Sequence, residues 1–344
     1  MRILVIGSTG FIGRFLIKKL FTSGHEVIGM DVNNPGTDEG LHRFIKGDIL
    51  NIEDIKKASQ GVDIIINLAA EHRDFGITRE DYFKVNAEGT KNILKCAEEL
   101  GIKKFIFYST VGVYGDSKDC TTEQSPFSPV NPYGESKVAA EKEILEWSKQ
   151  DASREIIIIR PTVVFGPYNY ANVYNLMNNI YKRRFIFVGK GKNIKSVAYV
   201  ENLVDANIFL LNKLKPGIEV YNYSDYPQMT TEEIVKTIVD KLSCKLPKLK
   251  LPLWFAMMIA SIFDLLAKIT GHNFPITAYR IKKFNTPTQH SSDKIRKAGY
   301  KQEITIAEGF RRMAQWYLNN DSVSQKIESK SLESKEELAA INKT

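Results

Sequence analysis

Cysteine is scarce in this chain: three residues in 344, Cys96, Cys120 and Cys244, an odd number set far apart. That spacing excludes a disulfide framework and a thiolate zinc site, and it makes a reducing cytoplasm the natural compartment. The five histidines are scattered without ligand spacing, so no metal is expected. Long apolar runs are also lacking. The longest candidate, LPLWFAMMIASIFDLLAKIT, is broken by Pro252, Asp264 and Lys268 and leaves about thirteen charge-free residues, short of the ~20 that span a bilayer. It can lie on a membrane without crossing it. No internal repeat marks a solenoid or a fibre. The opening MRILVIGSTGFIGRFL has the charge and apolar run of a secretory signal in outline, but its glycines point elsewhere.

What is present is an ordinary globular composition, 43% hydrophobic, enough for one large core or two smaller ones. Charge is uneven: residues 181–320 hold 23 Lys/Arg against 11 Asp/Glu, while the rest hold 25 against 29. A basic half suits a diphosphate ligand, an anionic membrane or a nucleic acid, or is simply a solvated surface.

Short apolar runs, RILVIG, EVIGMD, DIIINLA, KKFIFYST and EIIIIRP, alternate with longer amphipathic segments. Continuous apolar strands spaced by helices predict a parallel sheet covered on both faces, a Rossmann-like, doubly wound α/β fold. After about residue 165 the alternation weakens. A nucleotide-binding domain is expected over 1–165, with some later segments packing back on it, then a smaller substrate-binding domain over 166–320 and a flexible tail over 321–344.

The first strand ends in Gly7, Gly10 and Gly13, and a helix follows. Glycine is needed where the backbone bends sharply and approaches a pyrophosphate, and the helix N-terminus then offers N–H groups to the anion. Phe11 and Ile12 belong to the same turn. EVIGMD ends in Asp31, 18 residues after Gly13, where a carboxylate accepts from the adenosine ribose and repels a 2′-phosphate, favouring NAD over NADP. Asp48 and Ile49 of GDI, and Leu68, Ala69 and Ala70 of NLAA, stand where the third and fourth strands end, at the edge of the same crevice.

Tyr-x-x-x-Lys occurs at Tyr114/Lys118, Tyr133/Lys137 and Tyr279/Lys283. Only Tyr133/Lys137 follows an Asn-Pro helix start and continues into a helical pattern that places i and i+4 on one face. A phenol of reference pKa ~10 is a poor base, but an adjacent ammonium and a positive nicotinamide favour the phenolate. Tyr133 is then the general acid/base and Lys137 its electrostatic partner, with a hydroxyl from the strand end FIFYST, Thr110 or its neighbour Ser109, polarising the substrate oxygen.

These glycines and Asp31, with NLAA, YSTVGVYG, YGESK and RPTVVFGP, resemble the extended short-chain dehydrogenase/reductase family, the NAD-dependent epimerases and dehydratases of sugar metabolism, over roughly residues 1–320. The resemblance implies an enzyme with NAD as cofactor, with Thr110, Tyr133 and Lys137 carrying the chemistry. It implies a diphosphate-linked sugar as substrate, no nucleic acid, and a homodimer built on helices around 85–100 and 133–149. Dehydratases of the family carry Asp-Glu after the catalytic threonine, and the decarboxylases a glutamate at the second position; here Val111 and Gly112 stand there, which leaves hydride chemistry at one carbon. Lys190, Lys192 and Lys195 resemble the family's diphosphate-side region, with Lys195 where many members have arginine. NLAAEHRDFG, NVYNLM, YVENLVDA, FDLLAKITG and RIKKFNTPTQ are similar to bacterial 4-epimerases that interconvert GlcNAc and GalNAc on undecaprenyl diphosphate in O-antigen assembly. A UDP-sugar 4-epimerase, and a net oxidoreductase such as a 4-ketosugar reductase or a hydroxysteroid-dehydrogenase-like enzyme, stand as alternatives. The lipid-linked substrate, the basic half and the apolar 251–263 together imply peripheral association with the cytoplasmic face of the inner membrane.

Overall fold

The computed structural model describes residues 1–36, 40–73, 76–117, 119–245, 250–270 and 277–320. The expected tail lies outside them, as does Lys118. Seven strands build the principal sheet: β1 (Arg2–Ile6), β2 (Glu26–Asp31), β3 (Arg43–Lys46), β4 (Ile64–Asn67), β5 (Lys104–Tyr108), β6 (Glu155–Pro161) and β7 (Gly217–Tyr223). The helices that concern the site are α1 (Phe11–Thr22), α2 (Ile52–Ser59), α3 (Arg79–Phe83), α4 (Gly89–Glu99), α5 (Pro132–Gln150), α6 (Asn172–Tyr181), α7 (Val200–Leu211), α8 (Thr231–Lys241), α9 (Leu253–Thr270) and α10 (Ala278–Asn285).

Strand order is β7-β6-β5-β4-β1-β2-β3, and every pair is parallel. The apolar runs explain why. Along β1, Ile3 and Val5 enter one core with Leu16, Ile17 and Leu20 of α1 and Leu203, Val204 and Leu210 of α7. Leu4 and Ile6 enter the other, with Ile55 of α2, Ile93 and Leu94 of α4, and Ile144 and Trp147 of α5. Side chains alternate across a strand, so a run with no polar gap is what a sheet buried on both faces requires. This is the doubly wound fold expected from the sequence.

Chain order runs outward from β1 through β2 to β3, then restarts at β4 on the other side of β1. The carboxyl ends of strands flanking such a switch point form a crevice where ligands bind. The chain forms two compact units. Among the described residues, the first comprises Met1–Val164, Ile194–Met229 and Pro287–Thr305, and the second comprises Phe165–Asn193, Thr230–Thr286 and 306–320. In the second unit α6 packs on α8 and α9 on α10, and the rings of Phe165 and Phe310 stack with centroids 4.4 Å apart.

Candidate active site

Register places the glycine turn. Ile6 pairs with Met30 on one side and with Asn67 on the other, which sets Gly7 between Asp31 and Leu68. Gly7 adopts a φ of +81°, and a Cβ there would lie 2.7 Å from the Ala69 nitrogen. A Cβ on Gly13 would lie 2.3 Å from the Gly7 carbonyl oxygen, so both glycines keep two backbones in contact. Gly10 caps α1 through its backbone, and the first turn, with Phe11 and Ile12, carries neither an acid nor a side-chain cap. A helix start bare of both accepts an anion.

Asp31 locks this turn to β2: one carboxylate oxygen accepts the Thr9 N–H and the other the Asn33 N–H, each at 3.0 Å. Leu68 donates its N–H to the Ile6 carbonyl at 2.9 Å and Ala69 donates to the Asn67 side chain at 3.0 Å, with Ala70 half-buried beyond them. Asp48 is exposed, its carboxylate turned back on the Leu50 N–H at 2.9 Å. Ile49 is buried in the core, where it meets Gly89 of α4. The glycine turn after β1, Asp31 at the end of β2 and the residues after β4 lie at neighbouring strand ends and fit a dinucleotide, with a tight turn for its pyrophosphate and a carboxylate for a ribose diol, whereas Ile49 belongs to the core.

The candidate reacting groups follow β5 and open α5. Asn131 caps α5, its side chain accepting the Gly134 N–H at 2.8 Å, with Pro132 in the first turn. Tyr133 and Lys137 follow one turn apart. Thr110, two residues beyond β5, accepts the Gly112 N–H at 3.0 Å, and its hydroxyl acts on the Tyr133 phenol to lower its pKa. Ser109 faces elsewhere, donating to Glu141 at 2.5 Å. Of the two hydroxyls, Thr110 is therefore the one beside Tyr133. Lys137 is buried, its ammonium nitrogen 4.4 Å from the centroid of the Phe107 ring.

Burial reverses the electrostatics expected from the sequence. It pushes the Tyr133 phenol up to about 12, against the hydrogen bond to Thr110, which lowers it. It pulls Lys137 down to about 7, against the Glu141 carboxylate, which raises it. Desolvation disfavours both charged forms more than Thr110 and Glu141 favour them. Positive charge brought alongside is what turns the phenol into a base.

Tyr114 is buried in a short 3-10 turn (Val111–Tyr114), where Arg160 donates to its hydroxyl at 2.6 Å and it donates to Asn222 at 2.7 Å. It is a structural tyrosine. Lys195 lies in the first unit, Lys190 and Lys192 in the second.

Sequence reading missed Asn86, which lies in a π-helical turn joining α3 to α4 (Lys84–Glu88). Its side chain accepts the Glu71 N–H at 2.8 Å and donates to the Glu71 carbonyl at 3.0 Å and to Ser136 at 2.9 Å, tying the loop after β4 to the residue before Lys137. It also missed Glu141 and Arg160. A signal existed for these two: an arginine inside the run EIIIIRP and an acid at i+4 from Lys137 both demand buried partners.

Residues 3–223 match the family model described as the NAD dependent epimerase/dehydratase family. The N-acetyl-alpha-D-glucosaminyl-diphospho-ditrans,octacis-undecaprenol 4-epimerase of Escherichia coli O157:H7 is 37% identical over 320 residues, 91% of this chain and 94% of that protein. UDP-glucose 4-epimerase of Vibrio cholerae is 30% identical over 331 residues, 92% of this chain and 95% of that protein. Among solved structures, UDP-glucuronic acid 4-epimerase from Bacillus cereus in complex with NAD superposes with a TM-score of 0.74 at 22% identity, covering 93% of this chain and 99% of that one.

Proposed function

The chain belongs to the NAD dependent epimerase/dehydratase family, and on that premise we propose that it is an NAD-dependent sugar 4-epimerase interconverting GlcNAc and GalNAc on undecaprenyl diphosphate. The observation that carries this reading is the 37% identity to the undecaprenol 4-epimerase, sustained over 91% of the chain. The residues that follow Thr110, Val111 and Gly112, agree with it, since neither offers the extra acid or base of a dehydratase.

The geometry supports the following roles. Gly7, Gly10 and Gly13 with the start of α1 hold the pyrophosphate, and Asp31 holds the ribose. Thr110 polarises the sugar 4-oxygen, Tyr133 accepts the 4-OH proton and later returns it, and Lys137 offsets the charge on the phenolate. When bound, NAD supplies the hydride acceptor and donor at C4. Between proton removal and return the ring presents its opposite face, so the cycle has no net redox. The diphosphate is the natural pivot, because it is the part of the substrate that does not react.

A second reading, a UDP-sugar 4-epimerase, is favoured by the 30% identity to the Vibrio enzyme. Incubation with UDP-GlcNAc and with undecaprenyl-diphospho-GlcNAc, followed by product sugar analysis, tests the choice. Product from the lipid-linked sugar alone supports the first reading, and product from UDP-GlcNAc alone supports the second. Stoichiometric consumption of NADH would overturn both in favour of a net reductase.

We further propose that the enzyme serves surface-polysaccharide assembly as a homodimer through α4 and α5, at the cytoplasmic face of the inner membrane. No helix among the described residues is long and apolar enough to cross a membrane. Support for a peripheral contact comes from α9. Trp254 (70% exposed), Met258 (49%) and Ile262 (54%) recur every fourth residue, while Ala256 and Ala260 are buried. The sequence reading placed Phe255, Met257 and Phe263 in this contact too. They are half-buried, which leaves Trp254, Met258 and Ile262 as the exposed stripe. Lys282 and Lys283, exposed in the same unit, supply positive charge, while the Lys250 ammonium is paired with Glu232 at 3.2 Å.

A further inference from the structure

Behind Lys137 runs a buried polar chain that the mechanism above leaves unused. Glu141, one helical turn further along α5, is 1% exposed. One of its oxygens accepts from the Ser109 hydroxyl at 2.5 Å and from Arg160 Nε at 2.9 Å; the other accepts from Arg160 Nη2. Arg160, 4% exposed within β6, passes on to Tyr114 at 2.6 Å, and Tyr114 to Asn222 at 2.7 Å. The Asn222 N–H is held in turn by the Glu123 carboxylate at 2.9 Å.

A buried ion pair is a poor device for stability alone, because desolvating two charges offsets their attraction and well-packed apolar residues serve as well. This pair has a third party. On a helix, i and i+4 lie on one face, and the Lys137 ammonium otherwise sits against the Phe107 ring. Around Glu141 lie Ser109 after β5, Arg160 on β6 and, through Arg160, Tyr114, while Lys137 stands one turn back on the same helix. His290, stacked on Tyr114 with centroids 6.2 Å apart, is held down to about 4 by burial and brings no charge.

Building on the reading of Tyr133 and Lys137 as the proton-transfer pair, we propose that Glu141 is a positioning residue: clamped by Ser109 and Arg160, its carboxylate keeps Lys137 charged and so ready to hold the Tyr133 phenolate. Arg160 acts in the opposite sense, tempering that carboxylate. The two halves of one ion pair therefore bias Lys137 in opposite directions. A merely structural pair would not do this, since breaking it from either side loses the same contact.

The test follows the Lys137 side chain itself. In protein labelled with 13C at lysine Cε, the resonance lost in Lys137→Met is titrated by NMR in wild type, Glu141→Gln and Arg160→Met. Glu141→Gln should move the midpoint down by about one pH unit or more, and Arg160→Met should move it up by a similar amount. Tyr114→Phe, which changes no charge, should leave it in place. If Glu141→Gln does not fold, Glu141→Asp, which draws the charge back by one methylene, should shift the midpoint down by less. The alkaline limb of kcat should move with the midpoint in each variant. Midpoints that stay fixed, or move the same way in both halves of the pair, overturn the proposal. Absence of epimerase activity in the wild type would count against the sugar reading and leave the NMR comparison intact.

Discussion

The Tyr133 hydroxyl is where the proposed reaction turns, and its surroundings set what it can do. It lies beside Thr110, in a setting that raises the phenol to about 12. Tyr133→Phe removes the proton acceptor and little else, so turnover should fall by ~10²-fold or more while NAD binding and the thermal transition stay near wild type. Near-wild-type turnover in that variant would remove Tyr133 from the mechanism. Tyr114→Phe should show the opposite pattern, a stability loss of about 1–3 kcal/mol from an unpaired buried Arg160 donor with a smaller effect on turnover. The helix start that sets Tyr133 apart from Tyr114 was legible in the sequence, because an Asn-Pro start is local information. The sign of the Tyr133 shift was not, since it depends on how many atoms from distant segments exclude water from the hydroxyl.

At the scale of elements, α5 carries Tyr133, half-buried, and Lys137 and Glu141, both buried, at one-turn intervals. A lysine buried there has a thermodynamic signature. With Lys137 held down to about 7 against an ordinary value of 10.5, the unfolded chain binds one more proton between those values. Stability therefore rises with pH across that window; the penalty is fully present below 7 and gone above 10.5. Lys137→Met should be inactive yet more stable than wild type at pH 7, by about 1–3 kcal/mol, with the gap closing toward pH 10. Chemical denaturation at both pH values measures it, and a gap that does not change with pH would contradict the burial argument. The five strands quoted from the sequence were legible because both faces are buried. The edge strand β3 was marked only by where GDI should follow it; it is four residues long, with Ile45 alone buried. β7 stayed unread, because its first half is exposed or half-buried. The π-helical turn that seats Asn86 has no local signal.

For the whole molecule, the chain crosses between its two compact units several times, at 164/165, 193/194, 229/230, 286/287 and 305/306. Composition displays the change of texture near 165 and leads to the expectation that later segments pack back on the first domain, but it does not place the returns, which are set by long-range pairing such as β7 on β6. The second unit bears the membrane proposal. Trp254, Met258 and Ile262 would remove apolar surface from water at roughly 25 cal/mol per Å², and each lysine near an anionic surface adds about 1 kcal/mol at most. Neither contribution alone holds a protein of this size on a bilayer, so binding should need both and weaken with salt. Wild type should sediment with anionic liposomes at moderate salt, much less with neutral ones, and a folded Trp254→Ser/Met258→Ser/Ile262→Ser variant should stay in solution. The variant spares Phe255, whose half-buried ring packs against Trp254 with centroids 5.6 Å apart. Failure of the wild type to sediment, together with rapid turnover of UDP-GlcNAc and none of the lipid-linked sugar, would sink the membrane assignment and leave the chemistry of Thr110, Tyr133 and Lys137 standing.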